Sequence, residues 1–306
     1  MELDFAKLDG LGNDFIFIDD FSREIELTDE QVRRICNRHF GIGGDGVILV
    51  RPSKNSECTA YMHYINSDGT LAQMCGNGVR CFAKYLVDRG FVQSSDGAFV
   101  ADTLAGPRPI KFDVDDFDHL SMATVDMGYP ILDPERIPVS LSTNAQSVEG
   151  ASYVGESSID SPWGEFKFTC VSMGNPHAVC FLDNITSLPD ELFIDSNYKS
   201  LTSFRLEEIG AFFESHPLFP EKTNVEFAQI TPEGISMRVF ERGCGETLAC
   251  GTGACATLVA AALTQRSNRE NVLNLLGGSL LILWDEDDHV QMTGPATESF
   301  TGTIDI

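Results

Sequence analysis

Ala249-Cys250-Gly251-Thr252-Gly253-Ala254-Cys255 decides how this chain is interpreted, because a second version, Met74-Cys75-Gly76-Asn77-Gly78-Val79-Arg80, occurs earlier. In each version a Cys-Gly-x-Gly turn precedes a helical pattern. The first helix has one apolar stripe and ends near Gly90, whereas the second is apolar on nearly all sides. Both cysteines are predicted to stand at helix starts, where backbone N–H groups and the helix dipole favour a thiolate and can bind a carboxylate.

The duplication extends upstream of the two turns. Asn66 precedes Cys75 by nine residues and Glu241 precedes Cys250 by nine, each at the end of a strand-like segment. Two equal offsets predict two related halves that face each other.

Strand patterns greatly outnumber helix patterns along the chain. We therefore predict an α+β fold of two pseudo-symmetric domains, each a curved, mostly antiparallel sheet wrapped around a central helix. Breaks at Gly128-Tyr129-Pro130 and Pro295 place the N-terminal half at residues 1–124 plus 296–306 and the C-terminal half at 125–295.

Three local patterns add detail. Thr28, followed three residues later by Gln31, predicts a capped helix start. The glycine-rich segment 41–46 lacks the Gly-Lys-Ser/Thr ending of a phosphate loop and leads into a strand, so we do not assign it to phosphate binding. Residues 141–161, rich in Ser, Asn and Gly, are expected to form a loop with one short strand.

Composition excludes several classes of partner. The net charge of −25, from 46 acidic and 21 basic residues, gives no electrostatic footprint for nucleic acid or anionic lipid. No apolar run approaches the roughly 20 residues of a membrane helix, and the acidic start Met1-Glu2-Leu3-Asp4 does not resemble a signal peptide. We expect a cytoplasmic protein, with no nucleic-acid or membrane partner, whose nine scattered cysteines form no disulfide framework.

Several interpretations of the paired cysteines compete. Structural packing accounts for one such turn but poorly for two at matched offsets. A metal site needs close spacing such as Cys-x-x-Cys, and these two cysteines are 175 residues apart. A redox dithiol stays open as a minority interpretation, although no local dithiol motif is present. A single nucleophilic cysteine would leave the second turn unexplained.

The remaining interpretation uses both thiols in one reaction. If the halves face each other, a carboxylate held between the two helix N-termini would place its α-carbon between the sulfurs. One sulfur, as thiolate, removes a proton from one face while the other, as thiol, supplies a proton to the opposite face. The result is inversion of a stereocentre, with the helix dipoles and N–H donors stabilising the carbanion.

Seven groups of residues along the chain form a specific pattern. They are Gly10-Leu11-Gly12-Asn13-Asp14-Phe15, Ile65-Asn66-Ser67-Asp68-Gly69-Thr70, Met74-Cys75-Gly76-Asn77-Gly78, Met173-Gly174-Asn175-Pro176-His177, Glu241-Arg242-Gly243 with Gly245-Glu246-Thr247, Ala249-Cys250-Gly251-Thr252-Gly253-Ala254, and Met292-Thr293-Gly294-Pro295. With these segments, essentially the whole chain resembles the diaminopimelate epimerase family, although each half alone also fits the related proline racemases.

The resemblance implies a cofactor-independent isomerase. Such an enzyme needs neither pyridoxal phosphate nor metal and converts LL-2,6-diaminopimelate to meso-diaminopimelate in lysine and peptidoglycan precursor biosynthesis. It also implies a homodimer whose small-molecule partner is diaminopimelate.

Particular residues gain roles from the resemblance. Cys75 and Cys250 match the family's acid/base thiols, and His177 and Glu241 match residues that tune them. Residues that match its substrate contacts, including the N–H groups around the reacting carboxylate, are Asn13, Asn66, Gly76, Asn77, Asn175, Asn224, Glu241, Arg242, Gly251 and Thr252. Arg242 suits bidentate pairing with the distal carboxylate, which would explain how so acidic a protein binds this substrate.

Three positions depart from the family pattern. Gly46 stands where family members carry a substrate-contacting glutamine, and Leu276-Gly277-Gly278 replaces a Pro-Gly-Gly turn. Phe300 stands where a tyrosine supports the family's dimer, so its ring can pack but a hydroxyl contact cannot form.

Two alternative functions stay open. The first is a racemase or epimerase for another amino acid such as proline or hydroxyproline, against which Arg242 and the asparagines argue, since a monocarboxylate gives them nothing to bind. The second is a thiol redox or ligand-binding protein that merely uses the fold.

Overall fold

The computed structural model describes residues 1–72 and 74–306 and divides into two units. Unit 1 comprises Met1–Asp126 and Thr293–Ile306, and unit 2 comprises Met127–Met292. Both combine a few helices with many strands, which confirms the predicted α+β class. Within the described residues, no helix has the length and apolar character needed to cross a membrane.

Helices are few, and two of them follow the cysteine turns. They are α1 (Asp29–Cys36), α2 (Gly76–Asp88), α3 (Leu206–Glu214) and α4 (Gly251–Leu263), with short 3₁₀ turns at Ser94–Asp96, Ile185–Ser187, Asp190–Leu192 and Leu201–Ser203.

The strands make up the rest of the regular structure. In chain order they are β1 (Glu2–Gly10), β2 (Asn13–Asp19), β3 (Gly46–Arg51), β4 (Ala60–Asn66), β5 (Ala98–Asp102), β6 (Arg108–Val114), β7 (Leu120–Asp126), β8 (Ala145–Gln146), β9 (Ser152–Tyr153), β10 (Ser157–Ser161), β11 (Gly164–Ser172), β12 (Pro176–Phe181), β13 (Asn224–Thr231), β14 (Gly234–Glu241), β15 (Gly245–Thr247), β16 (Glu270–Leu275), β17 (Gly278–Trp284), β18 (Val290–Gly294) and β19 (Thr297–Asp305).

The same order of connections occurs in both units. In unit 1, β1 and β2 form an antiparallel hairpin, β2 and β3 are parallel with α1 between them in sequence, and β3 and β4 are antiparallel. A parallel β4–β5 connection through α2 and an antiparallel β5–β6 pair follow. In unit 2, β11, β12, β13, β14, β16 and β17 repeat these pairings, with α3 and α4 as the connecting helices. This repetition agrees with the internal duplication predicted from the two turns.

In unit 1, β2 is buried on both faces because a helix covers each of them. Ile16 belongs to the same core cluster as Ile35 of α1. Phe17 instead stacks on Tyr85 of α2, with ring centroids 5.3 Å apart. Successive strand residues point to opposite faces, so the unbroken apolar run Phe15-Ile16-Phe17-Ile18 is explained by burial between two helices.

In unit 2, α4 is the central helix. It is buried along nearly its whole length and contacts β11, β12, β13, β14, β16 and β17. A helix surrounded by strands must be apolar on every side, as the sequence from Ala254 to Leu263 is. Phe213 of α3 and Phe227 of β13 lie in a separate aromatic core of this unit.

The segment 141–161 contains more structure than the sequence predicts. The prediction of one short strand is wrong, because β8 pairs with β9 and β10 pairs with β11. Buried apolar side chains, among them Tyr153, Val154 and Ile159, anchor this polar segment. Tyr153 is buried and donates its hydroxyl to the carbonyl of Leu263 at 2.9 Å, and Ile159 lies in the core. Average composition does not register such single anchors.

Thr28 caps α1 as predicted. Its Oγ1 accepts a hydrogen bond from the Gln31 N–H at 3.3 Å, and its own N–H donates to Gln31 Oε1 at 2.9 Å. The first turn of α1 thus has a reciprocal capping box.

Replacing Thr28 with alanine should lower the free energy of unfolding by about 1 kcal/mol, because the Gln31 N–H loses its acceptor. Urea denaturation followed by circular dichroism measures the change. Thr28→Ser, which keeps the hydroxyl, should stay within a few tenths of the parent protein. Equal losses for alanine and serine would contradict the role assigned to the cap.

Candidate active site

Both cysteines of the repeated turn stand at the N-cap of a buried helix, as the sequence predicts. Cys75 is the N-cap of α2 and Cys250 is the N-cap of α4, each with an extended backbone. β4 ends at Asn66 and β14 ends at Glu241, so each strand ends nine residues before its cysteine. We describe the surroundings separately, as the Cys75 cluster (Asn13, Asp45, Cys75 and Asn77) and the Cys250 cluster (Asn175, His177, Glu226, Glu241, Cys250 and Thr252).

The Cys75 cluster is organised by the amide of Asn13. Its Oδ1 accepts from Cys75 Sγ at 3.4 Å and from Asn77 Nδ2 at 3.2 Å. Its Nδ2 donates to Asp45 Oδ2 at 2.6 Å. Because Asp45 engages the N–H side of the amide, the carbonyl oxygen faces the sulfur. In this arrangement the Cys75 thiol can donate to the amide oxygen.

An ionic network holds Asp45 in place. Arg38 donates to both carboxylate oxygens of Asp14, at 2.8 and 2.7 Å, and to Asp45 Oδ1 at 2.8 Å. Lys7 Nζ lies 2.7 Å from Asp14. Burial alone would raise the pKa of Asp14, but the hydrogen bonds from Arg38 and Lys7 outweigh it and lower that pKa to about 2. The glycine-rich segment 41–46 therefore carries a carboxylate that orients Asn13.

Asn66 ends β4 beside the glycine that departs from the family pattern. It pairs with Gly46 of β3, and its Nδ2 donates to Thr70 Oγ1 at 3.0 Å. A Cβ added at Gly46 would lie 2.5 Å from the carbonyl oxygen of Ile65 and 2.5 Å from Cε2 of Tyr64. The Tyr64 ring and the Ile65 carbonyl oxygen thus occupy the space that a side chain at position 46 would need, and both would have to shift to admit glutamine.

The groups around Cys250 shift the pKa of its thiol in opposite directions. Its Sγ accepts from the Gly253 N–H at 3.4 Å and lies 3.5 Å from Thr252 Oγ1. Burial raises the pKa of the Cys250 thiol well above its ordinary value, and the charge of Glu241 raises it further. The expectation that the helix start favours the thiolate is therefore wrong for Cys250 in this structure. Desolvation and the carboxylate of Glu241 outweigh the N–H and hydroxyl donors.

His177 and Glu226 form a fully buried pair beside Cys250. The distance from His177 Nδ1 to Glu226 Oε1 is 2.6 Å, and His177 Nε2 lies 3.1 Å from Asn175 Oδ1. Burial raises the pKa of the Glu226 carboxyl. A Cβ at Gly253 would lie 2.8 Å from Glu226 Oε1 and 3.3 Å from Cys250 Sγ. A larger residue would have to displace the Glu226 carboxyl, so glycine at this position lets the carboxyl and the sulfur lie close to the same backbone atom.

Sequence reasoning missed Glu226. Val225 and Phe227 belong to the core cluster that contains α3, so alternation along β13 would place Glu226 on a solvent face. That face is covered by α4 instead. The available signal was the apolar character of both neighbouring strands, which is typical of a sheet covered on both faces.

Asn224 and Arg242 are joined by the turn that follows β14. Asn224 is buried, its Nδ2 donates to the first carbonyl of β12 at 2.8 Å, and its Oδ1 accepts from the Arg242 N–H at 2.9 Å. The Asn224 amide therefore fixes the backbone that carries Arg242. The Arg242 side chain is exposed, with Nη1 donating to the Glu221 carbonyl at 3.2 Å. Glu241 Oε1 accepts from the Thr247 hydroxyl.

The predicted N–H donors occupy the first turns of the two helices. Gly76 and Asn77 begin α2, and Gly251 and Thr252 begin α4. N–H groups in a first helical turn have no partner within the helix, which suits them to bind a carboxylate. Across residues 1–72 and 74–306, no group of three or more His, Cys, Asp or Glu side chains is placed to hold a metal ion.

Comparison with protein families and curated sequences gives a consistent result. The family model described as diaminopimelate epimerase matches residues 5–132 and 169–298. The diaminopimelate epimerase of Desulfitobacterium hafniense is 44% identical over 306 residues, covering 99% of this chain and 98% of that protein. Those of Acetivibrio thermocellus and Methanococcus maripaludis are 43% and 42% identical over 304 residues, covering 99% of this chain and 98% and 99% of theirs.

Solved structures share the fold at lower identity. A hydroxyproline epimerase from Agrobacterium vitis has a TM-score of 0.65 at 15% identity, covering 99% of this chain and 91% of that chain. A PhzF-family phenazine biosynthesis protein from Bacillus anthracis has a TM-score of 0.63 at 14% identity over the full length of both chains. At such low identity these likenesses show the fold alone.

The raised pKa of Cys250 predicts its reactivity. The rate of Cys250 alkylation by iodoacetamide should keep rising with pH through about pH 9, because the thiolate fraction is still small there. Glu241→Gln should speed alkylation several-fold at one fixed, mildly alkaline pH, since removing a neighbouring negative charge lowers the thiol pKa.

Peptide mass spectrometry quantifies the alkylation of Cys250 separately from that of the other cysteines. Glu233→Gln, a change in the exposed turn between β13 and β14, is the matched control and should leave the rate unaltered. A rate that levels off below pH 9, or one that Glu241→Gln does not change, would contradict the electrostatic description of the cluster.

Proposed function

Because the chain belongs to the diaminopimelate epimerase family, we propose that this isomerase converts LL-diaminopimelate to meso-diaminopimelate without a cofactor, with Cys75 and Cys250 as the two acid/base groups. We place the reaction in the synthesis of lysine and peptidoglycan precursors in the cytoplasm. Each thiol serves one face of the reacting carbon, and the reverse reaction exchanges their roles.

One observation carries the proposal: the chain presents a cysteine at the start of a buried helix twice, within two units of the same connectivity. The two sulfurs differ in the direction of their hydrogen bonds. Cys75 donates to a carbonyl oxygen, whereas Cys250 Sγ accepts from an N–H. A two-base reaction needs one thiol and one thiolate at the start of each turnover, and these different contacts support a division of that kind.

The positive charge of the bound substrate would make Cys250 a better base by lowering the pKa of its thiol. Burial and the charge of Glu241 raise its pKa in the unliganded protein. The α-ammonium group of an amino acid bound near Glu241 would offset that negative charge and so lower the pKa of the thiol. Thiolate formation is then coupled to binding of the correct substrate.

The first turns of α2 and α4 supply the groups that stabilise the carbanion. Removing the α-proton moves negative charge onto the carboxylate, where N–H donors and helix N-termini stabilise it most. Gly76 and Asn77 would supply these donors from one helix, and Gly251 and Thr252 from the other.

Arg242 would select the distal carboxylate of the substrate. It is exposed, while its backbone is fixed by the hydrogen bond to buried Asn224. A guanidinium group on a fixed backbone can form two parallel hydrogen bonds to a carboxylate.

A homodimer remains part of the proposal. Phe300 of β19 is half exposed and packs edge to face on Phe5 of β1, with ring centroids 5.9 Å apart. An exposed aromatic surface of this kind suits contact with a second copy, without the hydroxyl contact of a tyrosine.

Cys75→Ala and Cys250→Ala should each lower the rate of LL-to-meso conversion by about 10²–10⁴-fold, since each removes one acid/base group. Chromatographic separation of the isomers measures the rate. Cys58→Ala, in the loop before β4, is the matched control and should retain activity. Substantial conversion by Cys75→Ala or by Cys250→Ala would argue strongly against a reaction that needs both sulfurs.

Arg242→Met should raise the KM for diaminopimelate by roughly ten- to a hundredfold, the loss expected for a charged hydrogen-bond pair. Arg242→Lys keeps the charge but loses the bidentate geometry, so its KM should lie between those of the parent and the methionine variant. Steady-state kinetics with diaminopimelate, run beside proline and glutamate, gives the comparison. An unchanged KM in Arg242→Met, or equal turnover of proline by the parent, would contradict the assigned specificity.

A further inference from the structure

The His177–Glu226 pair poses a question of proton placement. Both ring nitrogens of His177 face oxygen atoms, Glu226 Oε1 at 2.6 Å and Asn175 Oδ1 at 3.1 Å. A neutral imidazole has one N–H and can donate to only one of them. With the Asn175 amide oxygen facing Nε2, as the structure places it, the second contact requires either an imidazolium ring or a proton held by Glu226.

The surroundings of the carboxyl decide between these two states. Glu226 is fully buried, and among the described residues no hydrogen-bond donor reaches its Oε2. An ionised carboxylate would leave that charged oxygen without compensation, which is far more costly than leaving a neutral carbonyl oxygen unpaired. The raised pKa of the Glu226 carboxyl agrees with the neutral form. Glu226 then donates from Oε1 to Nδ1, and the ring proton resides on Nε2.

We propose that Glu226 is a positioning residue that remains protonated and, through His177, fixes the orientation of the Asn175 amide toward the substrate. With Nε2–H donating to Oδ1, the Asn175 side chain is left to offer its Nδ2 as a donor to a substrate carboxylate. This inference rests on the proposed function, in which Asn175 contacts the substrate.

Neutrality of Glu226 has a second consequence, at Cys250. The Glu226 carboxyl and the Cys250 sulfur both crowd the position of a Cβ on Gly253. A charged Glu226 opposes the Cys250 thiolate, whereas a protonated Glu226 does not. The proton on Glu226 thus has two effects. It fixes the orientation of the Asn175 amide through His177, and it removes a negative charge that would oppose the Cys250 thiolate.

Glutamine and methionine at position 226 separate this proposal from its alternatives. Glutamine can still donate to Nδ1 from its amide and keeps the tautomer of His177. Methionine fills a similar volume but cannot donate, so the ring proton can move to Nδ1 and the Asn175 amide can turn over. An ion pair between Glu226 and His177 would be lost equally in both variants.

The first measurement is ¹⁵N NMR of the parent and Glu226→Gln proteins labelled at histidine, with the His177 signals assigned by their loss in His177→Gln. We expect a neutral ring with a one-bond proton coupling at Nε2 only, in both proteins. An imidazolium ring, or a ring protonated at Nδ1, would overturn the proposal. This readout does not depend on catalysis, so it decides the proton placement even if the protein fails to epimerise diaminopimelate.

The second measurement is the steady-state kinetics of the variants with LL-diaminopimelate. Glu226→Met should raise KM about tenfold, the effect of one misdirected hydrogen bond, with a smaller change in kcat, and Glu226→Gln should recover most of that loss. In an Asn175→Ala background, Glu226→Met should add little, because the amide through which it acts is gone. Equal defects in the two Glu226 variants, or fully additive losses with Asn175→Ala, would overturn the positioning role, and if methionine prevents folding, the glutamine variant and the NMR measurement still decide the outcome.

Discussion

A cysteine at the N-cap of a helix buried against sheet is the constraint on which both units depend. The first N–H groups of such a helix have no partner within the helix, and burial limits their access to water, so a side chain, a ligand or ordered solvent must satisfy them. At α4 the sulfur of Cys250 accepts one of these N–H groups itself. The strand before each helix ends nine residues upstream of the cysteine, so a polar strand end and a sulfur recur together in each unit.

The carboxyl groups near the two cysteines are stabilised in different ways in the two units. In unit 1, the Asp45 carboxylate pairs with the Arg38 guanidinium and in turn orients Asn13. In unit 2, Glu226 is fully buried beside α4, its partner is His177, and among the residues that the structure describes no comparable cation pairs with it. A carboxyl in that setting is more stable when protonated. These different surroundings suit two thiols that begin a turnover in different protonation states.

The sequence predicted the parts of the structure that depend on local pattern. The two cysteine turns, the strand ends at Asn66 and Glu241, and the cap at Thr28 each follow from residues close together in the chain, and the structure confirms them. Glu226 and Asp45 could not be found in this way. The role of Glu226 depends on which strand face a distant helix covers, and that of Asp45 depends on which cation lies nearby.

The pKa of Cys250 shows the same limit. The helix start was visible in the sequence, but the depth of burial and the closeness of the Glu241 carboxylate were not, and these reverse the expected direction. The Tyr64 ring over Gly46 is a further tertiary feature that no local pattern encodes. The repeated turn in the sequence thus placed the two cysteines at helix starts, while the groups that surround them follow only from three-dimensional packing.

The central claim is that two sulfurs act on opposite faces of one carbon, and the isotopic content of substrate and product at early conversion tests it most directly. LL-diaminopimelate is incubated with the enzyme in D₂O, and both isomers are recovered after a small fraction has reacted and analysed by mass spectrometry. The account predicts one deuterium at the inverted carbon of the meso product and almost none in the recovered LL substrate, because the proton is removed by one thiol and replaced by the other. Equal labelling of substrate and product from the first turnovers would show that a single base serves both faces and would contradict the account.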